Sequence, residues 1–315
     1  MVEKEPRIRT HPVKMAIGVS KIFGNSAYFA GRRLARKVRG PAALKGAGDI
    51  ILIDMDLTLL KTNTILELFK MTLGETEAKK FLDHCKRGIV KGHYSLEEAM
   101  LLGYEKMIAA GVTVKDAERL VANLIEKGAV RNEIVEAARA LQASGKKVVI
   151  ASKMSETIAS ELAKKLGFDY GIGSRERVDG KTGRILKIEE LVGDFTGFIN
   201  VYKRDAKGRK IGKSKRSFRV VSKIDRVRDF FKQKKEPFNP RHVTVLSDGL
   251  EGLYSRKHAK FGVLFVPTRE NMSMKIARKR FLADAMVKEG PGFSRELVKT
   301  LGKPRVITQK RRKPR

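Results

Sequence analysis

Asp54 and Asp56 stand two residues apart at the end of the apolar run 49–55, DIILIDM. Such a run reads as a buried strand. In extended backbone, residues i and i+2 point the same way, so both carboxylates would leave the strand on one face. Two like charges held that close are costly unless a cation lies between them or one of them carries a proton. The pair therefore points to a metal ion or an acid/base couple. The alternative is that both carboxylates cap the following helix. Cys85, the one cysteine of the chain, follows His84 and reads as a buried thiol with a chance neighbour. No Cys/His spacing suits a structural zinc site, and one cysteine cannot form an internal disulfide, which predicts a reducing, cytoplasmic setting.

Strands and helices alternate around that pair. Residues 63–142 are helical in pattern, with Leu66, Leu68, Phe69 and Leu73 in one stripe and Ser95 to Glu98 as a capping box. Further helices are predicted over 114–125 and 132–143. Residues 146–151 form a second apolar strand, 156–166 an amphipathic helix and 168–172 a third strand, and Asp179-Gly180 marks a hairpin-type turn. Residues 195–202 and 217–221 are strand-like. They enclose 203–216, a basic loop or hairpin tip with eight basic residues and one acid. A helix over 224–235, strands over 242–246 and 261–266 and a basic helix over 272–289 complete the pattern. Strands alternating with helices predict an α/β fold with a Rossmann-like parallel sheet, and in such sheets ligands bind beyond the carboxyl ends of the strands.

The segment DMDLT at 54–58 resembles the first motif of the haloacid dehalogenase (HAD) superfamily, an apolar strand followed by D-x-D-x-T. Three further segments resemble its later motifs in order. VVIAS ends in Ser152, SKIDRVRDF begins a helix with Lys223, and VTVLSDGLEG carries Asp248 and Glu251. The resemblance spans about residues 49–285 and is nearest to the phosphoserine-phosphatase-like branch, which carries a helical cap between its first two motifs. It implies an α/β core over 49–62 and 131–290 with the basic loop 203–219 inserted, a helical cap over 63–130, a basic N-terminal extension over 1–48 and a basic tail over 291–315. It also implies Asp54 as nucleophile and Asp56 as general acid and base. Mg²⁺ would be held by Asp54, the Met55 carbonyl and Asp248, with Glu251 as a further candidate. Thr58, Ser152, Lys223 and Gly249 would contact the phosphoryl group. Lys207 is the alternative third-motif lysine, but it lies 41 residues before Asp248, whereas Lys223 lies 25 before it and opens a helix. The reaction implied is hydrolysis of a phosphomonoester through an aspartyl-phosphate.

The chain departs from that branch in places. Ser247 rather than Gly precedes Asp248, position 252 is Gly rather than an acid, and Lys153-Met154 follow Ser152 where glycines are usual. The branch's glutamate for a substrate amino group falls near Asn63. Phosphoserine itself is therefore not the expected substrate.

Charge adds a second theme. Residues 1–48 carry a net +9, 49–198 are neutral and 199–315 carry +24, within a total of +33. Such asymmetry predicts a polyanionic partner, RNA or a ribosome, or less simply an anionic membrane surface. The amphipathic segment 14–39 fits a helix packed on the domain, a nucleic-acid arm or a membrane-surface or targeting helix. The alternative function is thus a nucleic-acid- or ribosome-associated protein on a HAD scaffold with weakened or lost catalysis. No apolar run reaches the length of a membrane span.

Overall fold

The computed structural model describes residues 49–193, 196–205, 210–248, 261–266 and 285–289, with 292, 294–296 and 298. The extension 1–48, Lys207, Gly249, Glu251 and nearly all of the tail 291–315 lie outside the described residues.

Nine strands form one sheet in the order β5-β6-β4-β3-β2-β1-β7-β8-β9. The central strand β1 (Ile50–Ile53) is apolar and buried at every position, as a strand covered on both faces must be. It pairs in parallel with β2 (Lys147–Ser155) on one side and β7 (Val243–Ser247) on the other. The pairing ends at Ile53, opposite Ile150 and Leu246. Asp54, Ser152 and Asp248 follow just beyond, so three motifs reach the same edge of the sheet. β3 (Tyr170–Val178) extends the parallel set beside β2, and β8 (Phe261–Val266) and β9 (Ala285–Lys288) extend it beyond β7.

The sheet is α/β and mostly parallel, with two antiparallel pairs at one end. β3 and β4 (Ile185–Gly193) form the hairpin expected at Asp179, whose side chain accepts from the Lys181 and Thr182 N–H groups. β5 (Gly197–Arg204) and β6 (Lys210–Ser222) form the second pair, so the basic stretch is a hairpin and β5 is a sheet edge. One expectation is corrected: the end of the helix predicted over 272–289 is strand β9. Its ladder to β8, from Val263–Ala285 to Val266–Lys288, satisfies the backbone there and outweighs local helical preference.

The helices pack on both faces. Alternation along β1 sends Ile51 and Ile53 to one core, with Ile134 and Leu141 of α5 (Asn132–Ala143) and Ile158 and Leu162 of α6 (Glu156–Leu166). Ile50 and Leu52 go to the other, with Ile224, Val227 and Phe231 of α7 (Lys223–Gln233). Between β1 and β2 the chain inserts α1 (Thr64–Leu73), α2 (Glu75–Val90), α3 (Leu96–Ala109) and α4 (Val114–Glu126). The expected capping box is present: Glu98 N–H donates to Ser95 Oγ at 3.0 Å, and Ser95 N–H to Glu98 Oε2 at 2.8 Å. The entering and leaving chains meet at a bridge between Leu60 and Val130.

Candidate active site

Beyond β1 the backbone makes a wide turn over 55–59. Leu59 N–H donates to the Asp54 carbonyl at 3.1 Å and Leu60 N–H to the Met55 carbonyl at 2.9 Å. Asp54 and Asp56 are both extended, whereas Leu57 after them has a φ of +60°. A non-glycine residue in the left-handed region costs about 1–2 kcal/mol, so other contacts must hold the turn. Arg131 supplies them. Its buried guanidinium donates to the carbonyls of Leu57 at 3.0 Å, Thr58 at 2.8 Å and Leu60 at 2.8 Å, and pairs with Glu289 at 2.8 Å.

The turn brings the two aspartates to one cavity of about 400 Å³. Asp54 forms an ion pair with Lys223, and Ser247 Oγ donates to its other oxygen at 3.3 Å. Lys223 occupies the first turn of α7, whose N-cap is Ser222. A cation there opposes the helix dipole, and the facing carboxylate offsets that cost. Asp56 accepts from Thr64 N–H at 2.8 Å and Thr64 Oγ1 at 3.3 Å. Its carboxyl is pushed up to about 7, chiefly by burial, with the Asp54 charge adding to the rise.

Ser152 is buried in the cavity wall, and its Oγ accepts from Met154 N–H at 3.0 Å, which leaves its own O–H to donate. Asp248 also lines the cavity. Thr58 does not: it is fully buried, donates to Asp248 Oδ1 at 3.0 Å and accepts from Asp248 N–H at 2.8 Å. It fixes Asp248 from behind. The Met55 carbonyl, expected to face a cation, is engaged in the turn and has one lone pair left to offer.

Asp54, Asp56, Ser152, Lys223 and Asp248 therefore share one cavity. The sequence did not mark Arg131 or Thr64, and it marked Ser247 and Lys153 only as departures from the family motifs; Lys153 also lines the cavity. Thr64 and Ser247 adjoin motif residues or helix starts, but Arg131 carried no local signal. It acts through backbone carbonyls some seventy positions away in sequence. Tyr104 of α3 donates to the Lys153 carbonyl at 3.4 Å, tying the inserted helices to the second motif.

Among the described residues, no group of three or more His, Cys, Asp and Glu side chains gathers as a ready-made metal site. The carboxylates of Asp54 and Asp248, at one cavity floor, form an oxygen-only donor set. That fits a hard cation that keeps most of its water.

A family profile described as haloacid dehalogenase-like hydrolase matches residues 51–209. A phosphoserine phosphatase of Archaeoglobus fulgidus is 29% identical over 217 residues, 69% of this chain and 52% of that protein. The chain thus spans about half the length of that curated relative. Among solved structures, a protein of unknown function from Bordetella pertussis Tohama I superposes with a TM-score of 0.53 at 16% identity, over 75% of this chain and 97% of the other. A probable phosphoserine phosphatase from Vibrio cholerae gives 0.50 at 16% identity, over 82% and 67%. These likenesses carry the fold.

Proposed function

The chain belongs to the haloacid dehalogenase-like hydrolases, and on that premise we propose that it is a Mg²⁺-dependent phosphatase acting on a phosphomonoester through an aspartyl-phosphate at Asp54. The observation that carries this reading is the convergence of Asp54, Asp56, Ser152, Lys223 and Asp248 on one cavity. We read 63–130 as a cap over that cavity.

Asp54 attacks phosphorus with a carboxylate oxygen, the bond from phosphorus to the substrate's ester oxygen breaks, and Asp56 gives its proton to the departing alkoxide. A carboxyl titrating near 7 is protonated often enough at neutral pH for that task. Asp56, now a carboxylate, then takes a proton from water. The hydroxide attacks phosphorus, the bond to Asp54 breaks and inorganic phosphate leaves. Lys223 holds Asp54 in line and offsets charge on the transferring group, and Ser152 O–H donates to a phosphoryl oxygen. Asp54, Asp248 and the Met55 carbonyl would hold Mg²⁺, which when bound supplies positive charge against the phosphoryl oxygens.

The test is phosphate release from p-nitrophenyl phosphate by the full-length chain. Release should require Mg²⁺, cease with EDTA and be abolished in Asp54→Asn. A folded chain silent across a broad phosphoester panel with Mg²⁺ present overturns the reading.

A second reading concerns where the enzyme acts. The β5–β6 hairpin lies at the sheet edge, carries the densest basic sequence of the fold and leaves Phe198 70% exposed. A sheet edge whose sequence is rich in Lys and Arg suits the phosphates of a nucleic acid, with little sequence readout.

A further inference from the structure

The phosphoryl chemistry occupies only the floor of the cavity. Its upper wall, formed by α1, α2 and α3, is apolar: Ile65, Phe81, Leu82, Ile89, Met100 and the methyl of Ala99 line it. Two large apolar side chains of the lining are left partly in water, Leu57 at 39% and Ile89 at 36% exposure. Leu57 is also the residue held at positive φ. Strain and solvent-exposed apolar surface together at one site call for a use.

A counter-charge for the ammonium of an amino-acid substrate is missing from that wall among the described residues. No carboxylate of α1, α2 or α3 lines the cavity among the described residues, so an ammonium group would find no counter-charge there. Asn63, near the position where the related phosphatases place their glutamate, spends its side-chain oxygen on the N–H groups of Ile65 and Leu66, at 3.1 and 3.3 Å. Lys86 is the one charged side chain that these three helices contribute among the described residues. Cys85, also on the wall, has its thiol pushed up to about 11 by burial, so it stays neutral and behaves as a small apolar group.

We propose that the substrate is the phosphomonoester of an apolar alcohol, its phosphate on the floor with Asp54 and Lys223 and its hydrocarbon body against Ile65, Phe81, Ile89 and Met100. This rests on the phosphatase reading and names the leaving group that Asp56 protonates. Burying a hydrocarbon against such a wall gains about fourfold in binding per methylene, whereas an ammonium stripped of water without a partner loses far more.

The test uses the full chain with Mg²⁺ and a series of methyl, butyl and octyl phosphate beside O-phosphoserine, followed both by phosphate release and by calorimetric binding. The expected result is that kcat/KM and affinity rise by about fourfold per methylene until the cavity is filled, and that phosphoserine falls at least tenfold below butyl phosphate. Met100→Glu should collapse the octyl-to-methyl ratio. Ile89→Glu, at a more exposed position that tolerates charge in a folded chain, should lower that ratio as well. Turnover without dependence on chain length, or phosphoserine preferred to butyl phosphate, overturns the inference while leaving the phosphatase reading intact. Chain-length-dependent binding without turnover of any member of the series overturns the inference, because a phosphomonoester that binds and is not cleaved is not a substrate, and hydrolysis of p-nitrophenyl phosphate then keeps the phosphatase reading. Neither binding nor turnover along the series overturns the inference, and the phosphatase reading falls with it only if p-nitrophenyl phosphate and the broad phosphoester panel also go unhydrolysed.

Discussion

Asp56 is held by Thr64 through a backbone and a hydroxyl donor, and its environment favours the protonated form. Two outcomes follow at this single residue. Asp56→Asn keeps the shape and the acceptor for Thr64 N–H but cannot give up a proton, so kcat should fall by about 10²- to 10⁴-fold, read by phosphate release. Its effect on stability should have the opposite sign. The folded chain holds the Asp56 proton up to about 7, against an ordinary value of 3.8. Between those values the unfolded chain has lost that proton and the folded chain keeps it, so rising pH erodes stability across that window. The substitution removes the penalty. In EDTA, Asp56→Asn should melt above the parent at about pH 8, with the gain shrinking as pH falls and gone below about pH 4. A variant that melts lower at alkaline pH would mean that Asp56 is not strained as a carboxylate. Asp54 and Asp56 were legible in the sequence because two acids at the end of an apolar strand have few inexpensive explanations. Arg131 was not: it is one basic residue among many, and its partners are carbonyls, which no sequence pattern marks.

At the scale of elements, the site depends on how tightly the turn after β1 and the strand β3 are held. Arg131 donates to three carbonyls of that turn from a buried position. Arg131→Met leaves those carbonyls and Glu289 without it, so a loss of about 3–5 kcal/mol is expected in urea unfolding. Arg131→Lys should recover only part, since an ammonium cannot reproduce the planar fork. In β3, a Cβ at Gly171 would sit 1.9 Å from the Ala159 carbonyl oxygen of α6, and one at Gly173 would sit 2.3 Å from the Met154 carbonyl oxygen. Both obstacles are backbone, so α6 must move for the first and the end of β2 for the second. Gly171→Ala should cost about 3 kcal/mol or more, seen as a lower denaturant midpoint, and an unchanged midpoint would mean that α6 does not approach β3 this closely. Strands β1, β2 and β7 were legible because buried parallel strands read as continuous apolar runs. β4 was not, because its sequence ILKIEELVG mixes buried and exposed positions without a clean period. β9 was masked by the helical-looking sequence before it and exists through pairing with β8, a contact between segments that a local pattern does not report.

At the scale of the whole molecule, charge and chemistry are separated along the chain. Residues 49–198, which supply Asp54, Asp56, Ser152 and the helical wall, are neutral overall, while 199–315 carry +24. A cation excess placed for substrate binding alone would be expected in the cavity. There the described lining holds Lys86, Lys153 and Lys223 against Asp54, Asp56 and Asp248, an even balance. The described lining does not carry the surplus, and the β5–β6 pair is a described element whose sequence is rich in it. If that element meets nucleic-acid phosphates, affinity for a duplex should fall linearly in log–log form as salt rises, with a slope of about −0.9 per phosphate contacted. Replacing Lys203, Arg204, Lys213 and Lys215 together by Ala should flatten that slope by up to about 3–4. Turnover of p-nitrophenyl phosphate should stay at the parent's level, because the reaction is assigned to Asp54, Asp56, Ser152, Lys223 and Asp248, which share one cavity. Filter binding between low and physiological salt reads the first quantity, and phosphate release reads the second. A slope unchanged in the quadruple variant would move the contact away from this hairpin. Binding indifferent to salt would remove the nucleic-acid reading, because an interface built from lysine and arginine cannot avoid releasing counterions when it forms.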